Sequence, residues 1–388
     1  MIEHMINTSS KSTCSGCSAC LHACPVDAIK MIPDREGFSY PKIDIEACVN
    51  CGKCKAACPI LDPRFIENVS QKNIALAARS KNETIRQQSS SGGIFTEIAT
   101  YILASGGVVF GAAFDKDFKV VHIAIENESE IYKLRGSKYV QSDIGNTYVQ
   151  AKEYLQQGRI VLFSGTPCQI AGLYSYLNHK YENLYTQDII CHGVPSPMVW
   201  KNYIEYRESK VGKQLENVSF RDKKHGWRNY SLSLRFSNQK TYDGISSEDF
   251  YLRGFMHNFT LRPSCYSCAF KSKQRQSDFT LADFWGVEKV CPEFDDDMGT
   301  SLVVLNSEKA CELIERIKVN IEYKEVDFDG AIKYNSAMTS SVTPHQNREN
   351  FFVESSKHGF YGVVKYVKAP LWQRLKRIIK SLIKRGRQ

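Results

Sequence analysis

Eight of the chain's fourteen cysteines lie in its first sixty residues, and their spacing limits what that stretch can fold into. Cys14, Cys17, Cys20 and Cys24, followed by Pro25, recur as Cys48, Cys51, Cys54 and Cys58, followed by Pro59, so one C-x2-C-x2-C-x3-C-P pattern occurs twice. Thiolate sulfur is the soft ligand that iron in a cubane cluster takes, and two-residue gaps let one tight loop present three sulfurs to it. In paired runs of this kind the fourth ligand comes from the other run. Cys14, Cys17, Cys20 and Cys58 are therefore expected to hold one [4Fe-4S] cluster, and Cys48, Cys51, Cys54 and Cys24 a second. Each proline stops the short helix at the fourth cysteine and turns the chain away.

Zinc and disulfides are the alternatives. Zinc sites use four cysteines in two pairs and leave no role for the third cysteine of each run. A disulfide scaffold needs an oxidising compartment, and the stretch from Met1 to Lys11 lacks the basic start and apolar core of a secretory signal. The whole repeat, both prolines included, resembles the bacterial two-cluster ferredoxin module. It is taken to occupy residues 1–62, and the expected location is cytoplasmic.

The chain's 388 residues leave room for two or three domains. No run of eighteen apolar residues occurs, and the most apolar stretch, Tyr101 to Phe114, is broken by Gly106, Gly107 and Gly111. The net charge of +9 comes from the end of the chain: residues 365–388 hold nine Lys and Arg and no acid, leaving 42 basic against 42 acidic residues elsewhere. A neutral body with a basic tail is not a phosphate-tracking face, so nucleic acid is excluded as a partner. In the tail, Leu371, Trp372, Leu375, Ile378, Ile379 and Leu382 recur at helical spacing opposite Arg374, Lys376, Arg377 and Lys380. This is the pattern of a basic amphipathic helix, read either as lying on an anionic membrane surface or as docking on a protein.

Between these ends the elements alternate. Strands are expected at Ile74 to Ala78, Val108 to Phe114, Val120 to Ile125, Ile160 to Phe163 and Leu184 to Ile190. Helices are expected from Ile94, over Thr147 to Gln156 and around Ile170 to Leu177. The succession of strand, small-residue turn and helix predicts an α/β (α+β) domain over residues 63–310, with 311–364 as its C-terminal part and 365–388 as the tail. Ser90, Ser91, Gly92 and Gly93 precede the first of these helices, a place where they read equally as a cap after a loop or as a phosphate cradle. Asp295, Asp296 and Asp297 read as a solvated turn rather than a metal site.

Six blocks in order carry a further resemblance: Ser90-Ser-Gly-Gly93, Arg135-Gly-Ser-Lys-Tyr139, Gly165-Thr-Pro-Cys-Gln169, Cys191-His-Gly193, Cys265-x2-Cys268 and Ala282-Asp-Phe-Trp-Gly286. Residues from about 74 to 310 resemble the coenzyme F420 hydrogenase/dehydrogenase beta-subunit family, in particular its stand-alone bacterial members. With the ferredoxin module the resemblance covers about four fifths of the chain. It implies FAD alongside iron-sulfur clusters, lined by Ser90, Ser91, Gly92, Gly93, Arg135, Ser137, Lys138, Gly165, Thr166 and Gln169. Lys138 and His192 are the candidate catalytic groups, although His192, like His225, also reads as a satisfied structural histidine.

Cys168, Cys191, Cys265 and Cys268 are expected to hold a third [4Fe-4S] cluster. Two of them follow predicted strands of one sheet and the other two form a two-residue pair. The alternative makes Cys168 a redox or packing thiol and leaves the pair to zinc or to nothing. Cys311 reads as core and Cys291 as a loop thiol. The functional expectation is an iron-sulfur flavoprotein oxidoreductase: clusters collect electrons from a reduced ferredoxin or another redox protein, FAD pairs them, and a small-molecule substrate or deazaflavin-like coenzyme receives them. The alternative is an electron-transfer subunit, or an F420-dependent dehydrogenase subunit, that serves a separate partner enzyme.

Overall fold

The computed structural model describes residues 11–63 and 73–368. Thirteen strands occur among them: β1 Ile29–Pro33, β2 Ser39–Ile43, β3 Ile74–Ser80, β4 Val108–Phe114, β5 Val120–Ile125, β6 Val161–Ser164, β7 Leu184–Ile189, β8 Leu215–Asp222, β9 Ser231–Phe236, β10 Thr241–Ile245, β11 Phe279–Asp283, β12 Ser301–Leu305 and β13 Ile321–Val326. Eight of these form one sheet in the order β13-β3-β12-β11-β7-β6-β4-β5. β11, β7, β6 and β4 run parallel to their neighbours within that block, and the flanking pairs are antiparallel. The sheet is thus mixed, and residues beyond 310 belong to it through β13.

Alternation along the strands buries both faces. Leu76 and Ala78 of β3 face the helices Ile94–Ala104 and Glu308–Ile317, whereas Ala75 and Ala77 face Trp227, Phe284 and Met338. Under β4 and β6 the opposite layer is built by the helices Thr147–Gln156 and Pro167–Leu177. A second, three-stranded antiparallel sheet, β10-β9-β8, packs its Leu232, Leu234 and Phe236 against Trp200, Tyr251 and Phe360.

The N-terminal module is locked into both cores. Cys17 and Ala19 join the layer of the helix Pro167–Leu177, and Phe38 joins the aromatic core of the smaller sheet. Two glycines allow the approach. A Cβ on Gly172 would lie 2.8 Å from Cys17 Cβ, and one on Gly37, held at φ 82°, would lie 2.4 Å from Met198 Cβ.

The helix Phe250–Met256 starts where it does because the Asp249 carboxylate accepts a hydrogen bond from Leu252 N and so makes Asp249 the cap. The helical stretch Arg348–Val367 runs into the segment read as a tail and is kinked at Gly359 (φ 58°). The amphipathic pattern from Leu371 onward lies outside the described residues. No described helix is long and apolar enough to cross a membrane.

Candidate electron-transfer centres

Short helices set the two cysteine runs. Ala19–His22 begins after Ser18 (φ 65°) and Lys53–Ala56 after Gly52 (φ 74°), left-handed turns that fold each run back around its own sulfurs. Two cavities result. One, of about 40 Å³, is lined by Cys14, Cys17, Cys20 and Cys58; the other, of about 20 Å³, by Cys24, Cys48, Cys51 and Cys54. The structure therefore brings Cys58 to the first run and Cys24 to the second, as the spacing rule requires. Backbone amides of Ala28 and Asn50 donate to Cys24 Sγ (3.3 Å) and Cys48 Sγ (3.4 Å).

Cys168, Cys191, Cys265 and Cys268 line a third cavity, of about 110 Å³. Cys168 follows β6 in the first turn of the helix Pro167–Leu177, Cys191 follows β7, and the pair sits on the turn Pro263–Ser267. Ser12, Thr13, Ser15 and Ile60 of the N-terminal module complete the wall. Thr13, Ser15 and Ile60 line both the cavity of this inner tetrad and that of the Cys14 tetrad, so the two share a wall.

The chemistry of the thiols fits a cluster. Burial pushes Cys17 up to about 11 and Cys265 up to about 12, and holds Cys20 and Cys168 well above the ordinary thiol range. Within each tetrad the neighbouring thiols reinforce this, Cys58 and Cys14 acting on Cys17, and Cys191, Cys268 and Cys265 on Cys168. Buried thiols that oppose one another's ionisation become thiolates only around a compensating cationic core. Among the described residues no three His, Cys, Asp or Glu side chains converge on a single-ion position. Four thiols line each cavity, which is the ligand set a [4Fe-4S] cubane takes.

The loops expected to line FAD also meet, and several of their donors are engaged within the protein. Ser137 N donates to Ser90 Oγ (2.7 Å), and Arg135 Nε donates to Thr96 Oγ1 (3.2 Å). Gly92 N donates to Ser301 Oγ (3.0 Å), and a Cβ there would lie 2.4 Å from the Ala78 carbonyl oxygen. Gly92 is thus needed for the contact of its loop with β3 and β12. Ser91 Oγ donates to the Thr300 carbonyl, and Glu97 fills the anion-favouring first turn of the helix Ile94–Ala104. Thr166 and Gln169 form a capping box with each other, and Gly165 lies against the Gln169 side chain. Of the two readings of this loop, cap and phosphate cradle, the described contacts show the first: it is a hydrogen-bonded corner of the fold.

Lys138 donates to the carbonyls of Leu134, Arg135 and Gly136 at 3.2–3.3 Å, and burial lowers it to about 7. Beside it, His122 of β5 escaped the sequence reading, because a lone histidine in an alternating strand gives no signal. Its Nε2 meets the Ser164 carbonyl at 3.0 Å, its Nδ1 has no hydrogen-bond partner among the described residues, and burial lowers it to about 4. A lysine that is neutral in the fold and charged when unfolded makes the unfolded chain bind more protons between about pH 7 and the ordinary lysine value, so stability rises with pH there. Lys138→Met is expected to flatten part of that rise in urea midpoints measured from pH 7 to 10. Lys223, also lowered to about 7 by burial, keeps the remainder. An unchanged slope would refute the assignment.

His192 stands apart from Lys138, at the inner tetrad, with its Nε2 2.8 Å from Asn258 Oδ1 and its ring edge-on to Phe255. His225 is exposed. Asp296 is bidentate to Arg86, and Asp295 and Asp297 pair with Arg228, so the acidic turn is an ion-pair network. Cys291 is buried in the core beside Trp227 and Phe294, and Cys311 packs on the core of the opposite face.

A dicluster module docked on a mixed sheet defines an iron-sulfur electron-transfer protein. The chain belongs to the coenzyme F420 hydrogenase/dehydrogenase beta-subunit family: the model of that subunit's N-terminal part matches residues 75–147 and that of its C-terminal part residues 158–329. A 4Fe-4S dicluster domain matches residues 13–60. It is 23% identical over 322 residues to the coenzyme F420-dependent sulfite reductase of Methanocaldococcus jannaschii, a match covering 80% of this chain and 46% of that protein. It is 25% identical over 166 residues to a subunit of the F(420)H(2) dehydrogenase of Methanosarcina mazei, covering 40% of this chain and 46% of the other. The chain spans about half the length of these curated relatives. Among solved structures, a chain of the F420-reducing [NiFe] hydrogenase complex from Methanosarcina barkeri aligns with a TM-score of 0.45 at 16% identity, over 77% of this chain and 92% of that one.

Proposed function

We propose that the chain is an iron-sulfur electron-transfer component that exchanges electrons with a separate oxidoreductase linked to a deazaflavin coenzyme. The observation that carries this reading is the arrangement of the three tetrads. The tetrad of Cys24, Cys48, Cys51 and Cys54 is the outermost, with Cys51 exposed and Val49 60% exposed beside it. Cys17 and Cys20 of the next tetrad are buried, and the inner tetrad shares its cavity wall with that module. Bound [4Fe-4S] clusters supply one-electron transfer. The residues do the rest: Gly172 lets the helix Pro167–Leu177 approach Cys17, and Arg262 and Gln141 hold the Cys14 loop through its backbone carbonyls. Support also comes from the two relatives named above, whose names both refer to F420.

FAD is the finer form of this proposal, a two-electron converter beside the corner of Ser90, Ser137 and Lys138. At that corner Ser137 N donates to Ser90 Oγ and the Lys138 side chain to three backbone carbonyls. Purification without oxygen, followed by iron and flavin counts, tests both levels. About twelve irons per chain, four for each cubane, with turnover of an F420-type acceptor only after a partner enzyme is added, is the expected result. Stoichiometric FAD with turnover by the single chain would replace the subunit reading by the flavoenzyme one. A chain without iron would end both.

A further inference from the structure

Arg262 is 1% exposed, yet it has none of the partners that a buried cation usually has. Its Nε donates to the Cys14 carbonyl (2.8 Å), Nη1 to Gln141 Oε1 (3.0 Å) and Nη2 to the Ser39 carbonyl (2.9 Å), and Nη2 also lies 3.7 Å from Cys14 Sγ. The guanidinium also lies over the faces of Tyr40, 4.3 Å away, and Phe38, 5.5 Å away. All of these are neutral groups. Arg86, Arg221, Arg275 and Arg348, by contrast, face Asp296, Asp283, Asp188 and Glu36. Among the described residues Arg262 makes no ion pair. Burying a guanidinium without a counter-charge is costly enough that the fold would be expected to supply one.

The position of Arg262 shows where that charge lies. Its side chain reaches the first cysteine of one tetrad, and its own carbonyl accepts a hydrogen bond from Cys265 N (2.9 Å), the first cysteine of the pair in another. A cubane held by four thiolates is negative as a whole, and its reduction potential follows net charge and the hydrogen bonds to its sulfurs. We infer that Arg262 is the buried counter-ion of the Cys14, Cys17, Cys20 and Cys58 centre, raising its reduction potential and fixing it against the inner tetrad. This rests on the cluster reading above. Arg262 acts by its charge and touches no substrate, so it is a positioning and tuning residue. The outer tetrad, which Arg262 does not contact, is the internal reference.

The test is an EPR-monitored redox titration of the full chain, preceded by an iron count. In Arg262→Gln the reduced-to-oxidised ratio of one centre at fixed ambient potential should fall about tenfold or more, which is 59 mV for one electron. A second centre should move less and the outer one should stay. Because Arg262→Gln could also weaken the docking of the module, Gln141→Glu gives an independent reading. It sets a carboxylate on Nη1 at nearly constant shape and should move the same centre in the same direction, even where Arg262→Gln loses iron. Arg262→Lys keeps the charge and should recover most of the potential. Fully loaded Gln141→Glu protein with every step at its wild-type position would overturn the inference, as would Arg262→Gln protein that holds full iron and titrates like wild type. A wild-type chain lacking iron would instead overturn the cluster reading, and the iron count reveals that before any titration.

Discussion

Cys265→Ser is expected to remove about four of the chain's irons while leaving the N-terminal module loaded. The inner tetrad takes two of its thiols from one turn, Pro263–Ser267 and the residue after it, so Cys265 and Cys268 would grip a cluster together. Val194 N donates to Cys265 Sγ at 3.4 Å, which aims that sulfur into the cavity. A serine hydroxyl is a harder ligand and is not ionised at neutral pH, so the fourth site fails rather than weakens. The module is built from its own eight cysteines and should keep its share. Metal analysis and EPR of anaerobically purified wild type, Cys265→Ser and Cys311→Ser decide the matter, with Cys311→Ser expected to match wild type because Cys311 packs on the core. An unchanged iron count in Cys265→Ser would remove this cysteine from the ligand set. One zinc lost in place of four irons would turn the site into a structural metal centre.

What the sequence made legible follows from how far apart the interacting residues lie. The N-terminal tetrads could be read because cluster ligation imposes short gaps, and even the crossed ligands Cys24 and Cys58 follow from the pairing of the runs. The inner tetrad needed one more step, the tendency of ligands to collect at strand ends, and β6 and β7 do deliver Cys168 and Cys191 to one cavity. Contacts across the chain left no local trace. Arg262 and Cys14 are 248 residues apart, and the only hint was that Arg262 stands just before Pro263-Ser264-Cys265. β13 was missed because it is an edge strand in which only Ile321 is fully buried, so Ile-Glu-Tyr-Lys-Glu-Val carries almost no apolar period. The Ser90 to Gly93 loop was ambiguous for another reason. A glycine that lets a phosphate approach and one that lets a strand approach look alike in sequence, and the 2.4 Å a Cβ on Gly92 would have to the Ala78 carbonyl shows the strand contact.

Arg348→Met is expected to lower stability by about 3 kcal/mol, the lower end of the range for breaking a buried pair. The guanidinium is bidentate to Glu36, with Nη1–Oε1 at 3.0 Å and Nη2–Oε2 at 2.6 Å, and the two side chains are only 14% and 10% exposed. The same cation donates to the Leu261 carbonyl (2.8 Å) and to Tyr266 Oη (3.1 Å). It thereby joins the β1–β2 turn of the module, the cysteine-pair turn and the helical stretch Arg348–Val367. Removing it leaves a carboxylate facing a carbonyl in a nearly closed space, which costs more than the pair contributed. Glu36→Gln keeps the shape and discards the charge, so it should cost less, and the double variant should recover part of the loss of Arg348→Met. Urea midpoints for the four proteins form a cycle that isolates the coupling. Additive single effects, or an Arg348→Met protein within about 0.5 kcal/mol of wild type, would show that the module is held by Phe38, Cys17 and the glycine contacts without the ion pair.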